Sequence, residues 1–347
     1  MKPLEWSTVF PSQSVLLVDD VVWTDTVSAV LNSMSSGNKF AMQNLFQQAT
    51  RRPEGIQKTI QSLMFEVGHN MTQNEIQACL RSQRALFVTG IEHRDFADSL
   101  NGSQISGIDD YEWLKQMRYY WNIETKGCSV HAGLLSRVEY GFECLGDSVS
   151  GLVSHSRSQL LNVASLTGQS PFMCLRNCSE RPAISRSLAA AYGQYCPEVR
   201  CMEDTDMSAL GRVLDGIAST AAWACFYNID VLTSGVISQL ALELNAIKMA
   251  AHVDRPHLPW GDFNCFVTTR GVSQTKNVAD VASWSCRSLI VPQAKSGTVL
   301  EAALGAYGFP EPSALASRLL LLFKSVHHST PREKCFIRIS RVVQGIV

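Results

Sequence analysis

Cysteine is the reactive residue type that stands out first. Eleven lie between Cys79 and Cys335 of this 347-residue chain. Four are clustered, Cys174 and Cys178 followed by Cys196 and Cys201, and two cysteine pairs across a spacer can hold a tetrahedral zinc ion. Against zinc, the spacings are loose, and Cys201 sits in the strand-like run Val199-Arg200-Cys201-Met202. An odd count with no repeating spacing reads more simply as free thiols used as small buried groups in a reducing compartment. The sequon Asn101-Gly102-Ser103 carries no meaning in such a chain.

Bulk composition narrows the function classes. Apolar residues make up 46% and charged residues 18%, enough apolar surface for a sizeable core. A net charge of −1 and a pI near 6.7 give no global field toward nucleic acid or an acidic membrane. No window reaches the roughly 18 consecutive apolar residues of a membrane helix. The start, Met1-Lys2-Pro3-Leu4-Glu5-Trp6, lacks the apolar core of a signal peptide. These features predict a soluble intracellular protein that binds neither nucleic acid nor membrane.

The elements that would position reactive groups differ between two regions. Through residues 1–146 the pattern is helical, with apolar residues three and four apart at 25–34 and 56–65. Within 110–121, Trp113, Met117 and Tyr120 recur at offsets of four and three, which predicts one helical face. From about residue 149 short apolar strands alternate with helices. Strands are expected at 171–175, 198–202, 223–226, 264–268 and 288–291, with helices at 186–192, 208–221, 235–251 and 298–307. Such alternation predicts an α/β fold, a five-stranded, mainly parallel sheet with helices on both faces. The segment 223–226 should be an interior strand, because 222–226 is apolar throughout. After Phe309-Pro310-Glu311-Pro312 the pattern is purely helical, at 313–328 and 335–347. The last of these is still amphipathic at Val347 without a C-cap, which predicts a truncated domain.

A series of strings in order carries a family resemblance. Asp110-Tyr111-Glu112-Trp113-Leu114-Lys115-Gln116-Met117-Arg118-Tyr119-Tyr120-Trp121 resembles the aromatic segment ending the linker of dynein heavy chains. Tyr140-Gly141-Phe142-Glu143-Cys144-Leu145-Gly146 is similar to the string that opens their first AAA+ module. Gly216-Ile217-Ala218-Ser219 and Ala222-Trp223-Ala224-Cys225-Phe226 resemble the helix and strand carrying the Walker B acids. Gln13-Ser14-Val15-Leu16 with Val22-Trp23-Thr24, then Val291-Pro292 and Gly305-Ala306-Tyr307-Gly308-Phe309, extend the match toward both ends. The resemblance implies a linker-like, all-helical region over 1–146. It implies an AAA+ core over 147–312 and the start of a helical lid over 313–347.

The resemblance also locates a nucleotide site whose working groups are replaced. A phosphate loop needs glycines so that its backbone N–H groups can wrap phosphates, a lysine for their charge, and a hydroxyl for magnesium. At that place stand Leu175-Arg176-Asn177-Cys178-Ser179-Glu180-Arg181-Pro182, without a glycine. Arg181 falls near the lysine position and Pro182 near the hydroxyl position, while the Glu180 carboxylate repels phosphate. Where the family has its magnesium-orienting acid and general base, this chain has Tyr227 and Asn228. Arg270 stands where a sensor asparagine is expected, and Arg341 is placed as the sensor II arginine. Arg181, Arg270 and Arg341 could still line an anion pocket without metal.

ATP and magnesium are therefore implied by the family but not by these residues, and no cofactor is expected. The implied function is a structural or regulatory member of a microtubule motor family, a pseudo-ATPase in a cytoplasmic, cytoskeletal, ciliary or sperm-flagellar setting. Microtubules and dynein intermediate and light chains would be its partners, through the rest of a longer chain. Two alternatives are an active minus-end-directed motor segment with a rewired site, and a zinc-stabilised module.

Overall fold

The computed structural model describes residues 6–7, 9–38, 40–65, 71–103, 105–133, 136–145, 172–176, 181–220, 222–254, 265–268, 286–290 and 296–326. They fall into two compact units. One draws on Met1–Cys128 and Ala294–Val347, the other on Ser129–Leu145 and Ser156–Gln293. The chain returns to its first unit after the sheet of the second.

The first unit is built on three long helices, α1 (Ser12–Ser35), α2 (Ala41–Phe65) and α3 (Gln73–Gly102). A capping box starts α3: the Thr72 hydroxyl accepts from the Glu75 backbone N–H, and the Glu75 carboxylate accepts from the Thr72 N–H. Pro53 lies inside α2, where it removes one backbone donor, and its buried ring faces Gly90 of α3. Val27 and Leu31 of α1, Met42 and Leu45 of α2, and Phe96 and Leu100 of α3 close one core around Trp113.

Trp113 belongs to a four-residue helix, α4 (Tyr111–Leu114), capped by the Asp110 carboxylate on the Glu112 N–H. The single helical face expected over 110–121 is corrected here: Met117–Asn122 is a strand, β1. The run Arg118-Tyr119-Tyr120-Trp121 favours an extended, half-buried backbone, and the Tyr119 N–H donates to the Thr24 hydroxyl of α1 at 3.0 Å. Trp113 and Tyr119 are buried, whereas Tyr111 and Trp121 are about half exposed. With β2 (Gly127–Ala132) and β3 (Ser136–Glu139), β1 forms a three-stranded sheet in the order β1-β2-β3. Residues 1–146 are therefore not helical throughout. Helix-period spacing over a few residues cannot outvote aromatic β-propensity once a partner strand is present.

The second unit carries β4 (Phe172–Arg176), α5 (Arg181–Ala191), β5 (Glu198–Arg200), α6 (Met207–Thr220), β6 (Ala224–Tyr227), α7 (Ser234–Asp254), β7 (Cys265–Thr268) and β8 (Cys286–Ile290). All four pairings are parallel and give the order β5-β6-β7-β4-β8, the expected five-stranded sheet. β6 lies between β5 and β7 with all four residues buried, as a continuous apolar run predicts. Leu210, Leu214 and Ile217 of α6 and Ile237, Leu240 and Leu244 of α7 pack with Ala224, Phe226 and Val267 of the sheet.

Beyond β8 the chain contributes α8 (Ser296–Ala306) and α9 (Pro312–Val326) to the first unit. α8 ends on Gly308 at φ +78°, where the Phe309 N–H bonds the Leu304 carbonyl and the Gly308 N–H the Gly305 carbonyl. That is a Schellman stop, and the left-handed backbone explains the glycine. α9 occupies the first part of the expected lid, and the helix expected at 335–347 lies outside the described residues.

Candidate functional site

In an open α/β sheet, ligands bind beyond the carboxyl ends of the strands, near the point where strand order reverses. Here that edge is formed by Arg176 of β4, Tyr227 of β6 and Thr268 of β7, with α5 starting above it. Cys178, Ser179, Glu180, Arg270 and Arg341 lie outside the described residues. Arg181 and Pro182 open α5. A proline in a first helical turn removes only a donor that has no intrahelical partner, so Pro182 suits a helix start.

Tyr227 and Asn228 are fully placed. The Tyr227 side chain is buried, and its hydroxyl lies 2.8 Å from the Ser185 hydroxyl of α5. Cys225, two residues earlier and so on the same face of the strand, lies beside both Ser185 and Tyr227. Burial pushes the Cys225 thiol up to about 12, and burial with the neighbouring Cys225 pushes the Tyr227 phenol above its ordinary value. The end of β6 is therefore a neutral, water-excluded trio of hydroxyl, phenol and thiol.

Asn228 follows in the left-handed region, φ 57° and ψ 46°, a conformation asparagine tolerates better than most residues. Its N–H donates to the buried Thr268 hydroxyl at 3.2 Å, which ties the ends of β6 and β7 together. Asp230 follows in a short turn, close enough to Cys201 for its charge to add to the burial that holds that thiol at about 11.

Sequence reasoning missed Ser185 and Thr268. A signal for Ser185 existed: Ser185, Leu188, Ala189 and Tyr192 are all buried, so a serine occupies the apolar stripe of α5. Such a hydroxyl needs a partner, and Tyr227 supplies it.

The cysteine cluster is not assembled by the residues described. Cys196 and Cys201 are buried free thiols held neutral, chiefly by desolvation. Zinc takes thiolates. The Cys174 side chain and Cys178 lie outside the description.

Among the described residues one other group has metal-ligand chemistry, Asp19 and Asp20 of α1 with His93 of α3. Its hydrogen bonds argue against a cation. Arg52 pairs with Asp19 and lies 3.2 Å from His93 Nδ1, so Nδ1 must accept and Nε2 must carry the proton. That proton points at Asp20 Oδ1, 3.5 Å away, while Trp23 stacks on the ring at 4.2 Å. The guanidinium already supplies the positive charge, and the set reads as a polar tie between three helices.

Residues 183–343 match the family model described as the hydrolytic ATP binding site of the dynein motor region. Human dynein axonemal heavy chain 6 is 23% identical over 254 residues, 69% of this chain and 6% of that protein. Rat dynein axonemal heavy chain 12 is 23% identical over 338 residues, 92% of this chain and 10% of that one. The cytoplasmic dynein heavy chain of Dictyostelium discoideum is 24% identical over 341 residues, 92% of this chain and 7% of that protein. The chain spans a tenth or less of the length of these relatives.

Proposed function

Because the chain belongs to the dynein heavy chain family, we propose that its AAA+ sheet serves as a structural or regulatory module that does not hydrolyse ATP. The observation that carries this reading is the Tyr227 hydroxyl bonded to Ser185 in the place of a metal-orienting acid. Phosphoryl transfer is accomplished mostly by positioning and charge stabilisation, so the groups that bind metal and phosphate are the mechanism. Magnesium would supply charge neutralisation to a phosphoryl group in transfer. Holding it here would take hard, charged oxygen donors. The end of β6 offers a phenol already engaged and a neutral amide on a left-handed residue instead. These residues do not fit the ion.

Two further points support the reading. The loop 175–182 contains no glycine, and the family match begins at Ala183, just past it. Asn228 cannot take a proton from water as a carboxylate does, and the loss of a general base alone costs a factor of about a hundred to ten thousand.

In this reading the segment works within a longer dynein-like microtubule motor protein. Microtubules and dynein intermediate and light chains are partners of the whole protein, and the axonemal names among its relatives favour a ciliary or flagellar setting over a purely cytoplasmic one. The test is magnesium-dependent phosphate release by the purified chain, with the Tyr227→Asp, Asn228→Glu double variant beside it. Neither protein should turn over. Turnover of about one per second that vanishes on chelating magnesium would overturn the proposal.

A further inference from the structure

α5 starts at the edge of the sheet where a nucleotide would sit, and the structure holds both ends of that helix from within the protein. At its C-terminal end the Gly141 N–H bonds the Tyr192 carbonyl at 2.8 Å, and the Glu143 N–H bonds the Gly193 carbonyl at 3.0 Å. The Glu143 carboxylate reaches the Tyr195 N–H, and the Tyr192 ring packs on Trp223, centroids 5.4 Å apart. Gly193 is left-handed at φ +65°, and any side chain there would overlap the Tyr140 ring. The string Tyr140-Gly141-Phe142-Glu143 is thus a clasp on the end of α5.

One turn from its N-terminus, the Ser185 hydroxyl ties α5 to the end of β6. Ser185 is 0% exposed and Tyr227 7%. Pulling α5 away from β6 would separate the serine hydroxyl from the phenol in an apolar surround, which is costly for buried polar groups. We infer that Tyr227 is a positioning residue, a built-in latch that holds the N-terminal half of α5 on β6 in one position whether or not nucleotide is present. The inference rests on the non-hydrolysing reading above and extends it: the module is unresponsive to nucleotide as well as inactive.

Hydrogen exchange read by mass spectrometry tests this on the full chain. Exchange of α5 amides is measured with and without magnesium ATP, with β7 and α6 as internal references. The latch requires α5 exchange in the unmodified chain to be unchanged by magnesium ATP. In Tyr227→Phe, which keeps the ring and removes only the hydroxyl, exchange over 185–191 should rise about tenfold while α6 and β7 stay as they were. Ser185→Ala should do the same, and the Tyr227→Phe, Ser185→Ala pair should be far from additive, because removing both partners leaves no stranded hydroxyl facing the other. Slowing of α5 exchange by magnesium ATP in the unmodified chain would overturn the latch. So would additive effects, or a change spread evenly over the unit. If Tyr227→Phe fails to fold, Ser185→Ala decides by the same local criterion. Phosphate release is scored separately, so failure of the latch and failure of the non-hydrolysing reading are distinguishable.

Discussion

The Phe87 ring of α3 fills the space that a side chain at Gly305 of α8 would need; a β-carbon there would overlap the ring. Glycine at 305 is thus a matter of close approach between two helices of the first unit. The contact fixes register, because the carbonyls at the end of α8 then meet donors from the older helices. Arg84 Nε donates to the Ala306 carbonyl at 3.2 Å with its guanidinium over the Tyr307 ring, and Gln61 donates to the Gly308 carbonyl at 3.0 Å. Gln57 bonds the Phe309 carbonyl.

Gly305→Val should destabilise the first unit by about 1–3 kcal/mol, the usual cost of forcing volume into a packed site. Urea unfolding followed by tryptophan fluorescence measures it. Combining it with Phe87→Leu should recover part of the loss, giving a coupling in a double-mutant cycle. Strict additivity would show that the two residues do not share that space.

The Arg94 guanidinium joins α3 to α8 through Glu301, with bonds of 2.6 and 3.2 Å, and also holds Asp95 at 2.7 Å. The Glu301 carboxylate bonds, offset in part by burial, push the arginine further above its already high value. Both side chains are less than a quarter exposed. Glu301→Gln should cost about 1 kcal/mol, below the full value for a charged hydrogen bond because solvent still reaches the arginine. Arg94→Lys should not rescue function of the pair, since an ammonium cannot match both carboxylates in the same fork. Thermal unfolding of the two variants gives the comparison.

Burial raises the Asp19 carboxyl above its usual range against the opposing pull of Arg52, and its second oxygen is buried without a hydrogen bond among the described residues. A carboxyl whose folded pKa exceeds its unfolded one contributes stability that is whole below the unfolded value, and loses it as pH rises through the folded one. The stability difference between the unmodified chain and Asp19→Asn should therefore move against the unmodified chain from about pH 4 upward. Urea midpoints at several pH values test this; a difference constant with pH would show that Asp19 titrates normally.

Thiol reactivity offers a simple reading of burial. Cys144 is exposed, whereas Cys196, Cys201 and Cys225 are buried with raised thiol values, about 11 for Cys201 and about 12 for Cys225. Only thiolate reacts, so at pH 8 alkylation of Cys201 and Cys225 should be about a hundredfold slower or more than that of Cys144. Peptide mapping after timed iodoacetamide exposure resolves the sites. Equal rates in native protein would contradict the packing of β6 and its surroundings.

The alternation of short apolar runs with helical stretches was enough to place all five strands of the parallel sheet within a residue or two. Burial on both faces forces an apolar run such as 222–226, and few other environments accept one. The replaced positions Tyr227 and Asn228 were legible too, because they follow that strand directly. What sequence could not decide were relationships between residues far apart in the chain. That Tyr227 meets Ser185, that Asn228 reaches Thr268, and that Gly305 meets Phe87 depend on which elements become neighbours. Locally, the aromatic spacing in 110–121 fits a helix as well as a strand, and only pairing with β2 and the Thr24 hydroxyl beside Tyr119 settled β1. Periodicity reports which face of an element is buried; the partner that buries it is set by the fold, since a backbone hydrogen bond or a close ring contact is a property of two segments together.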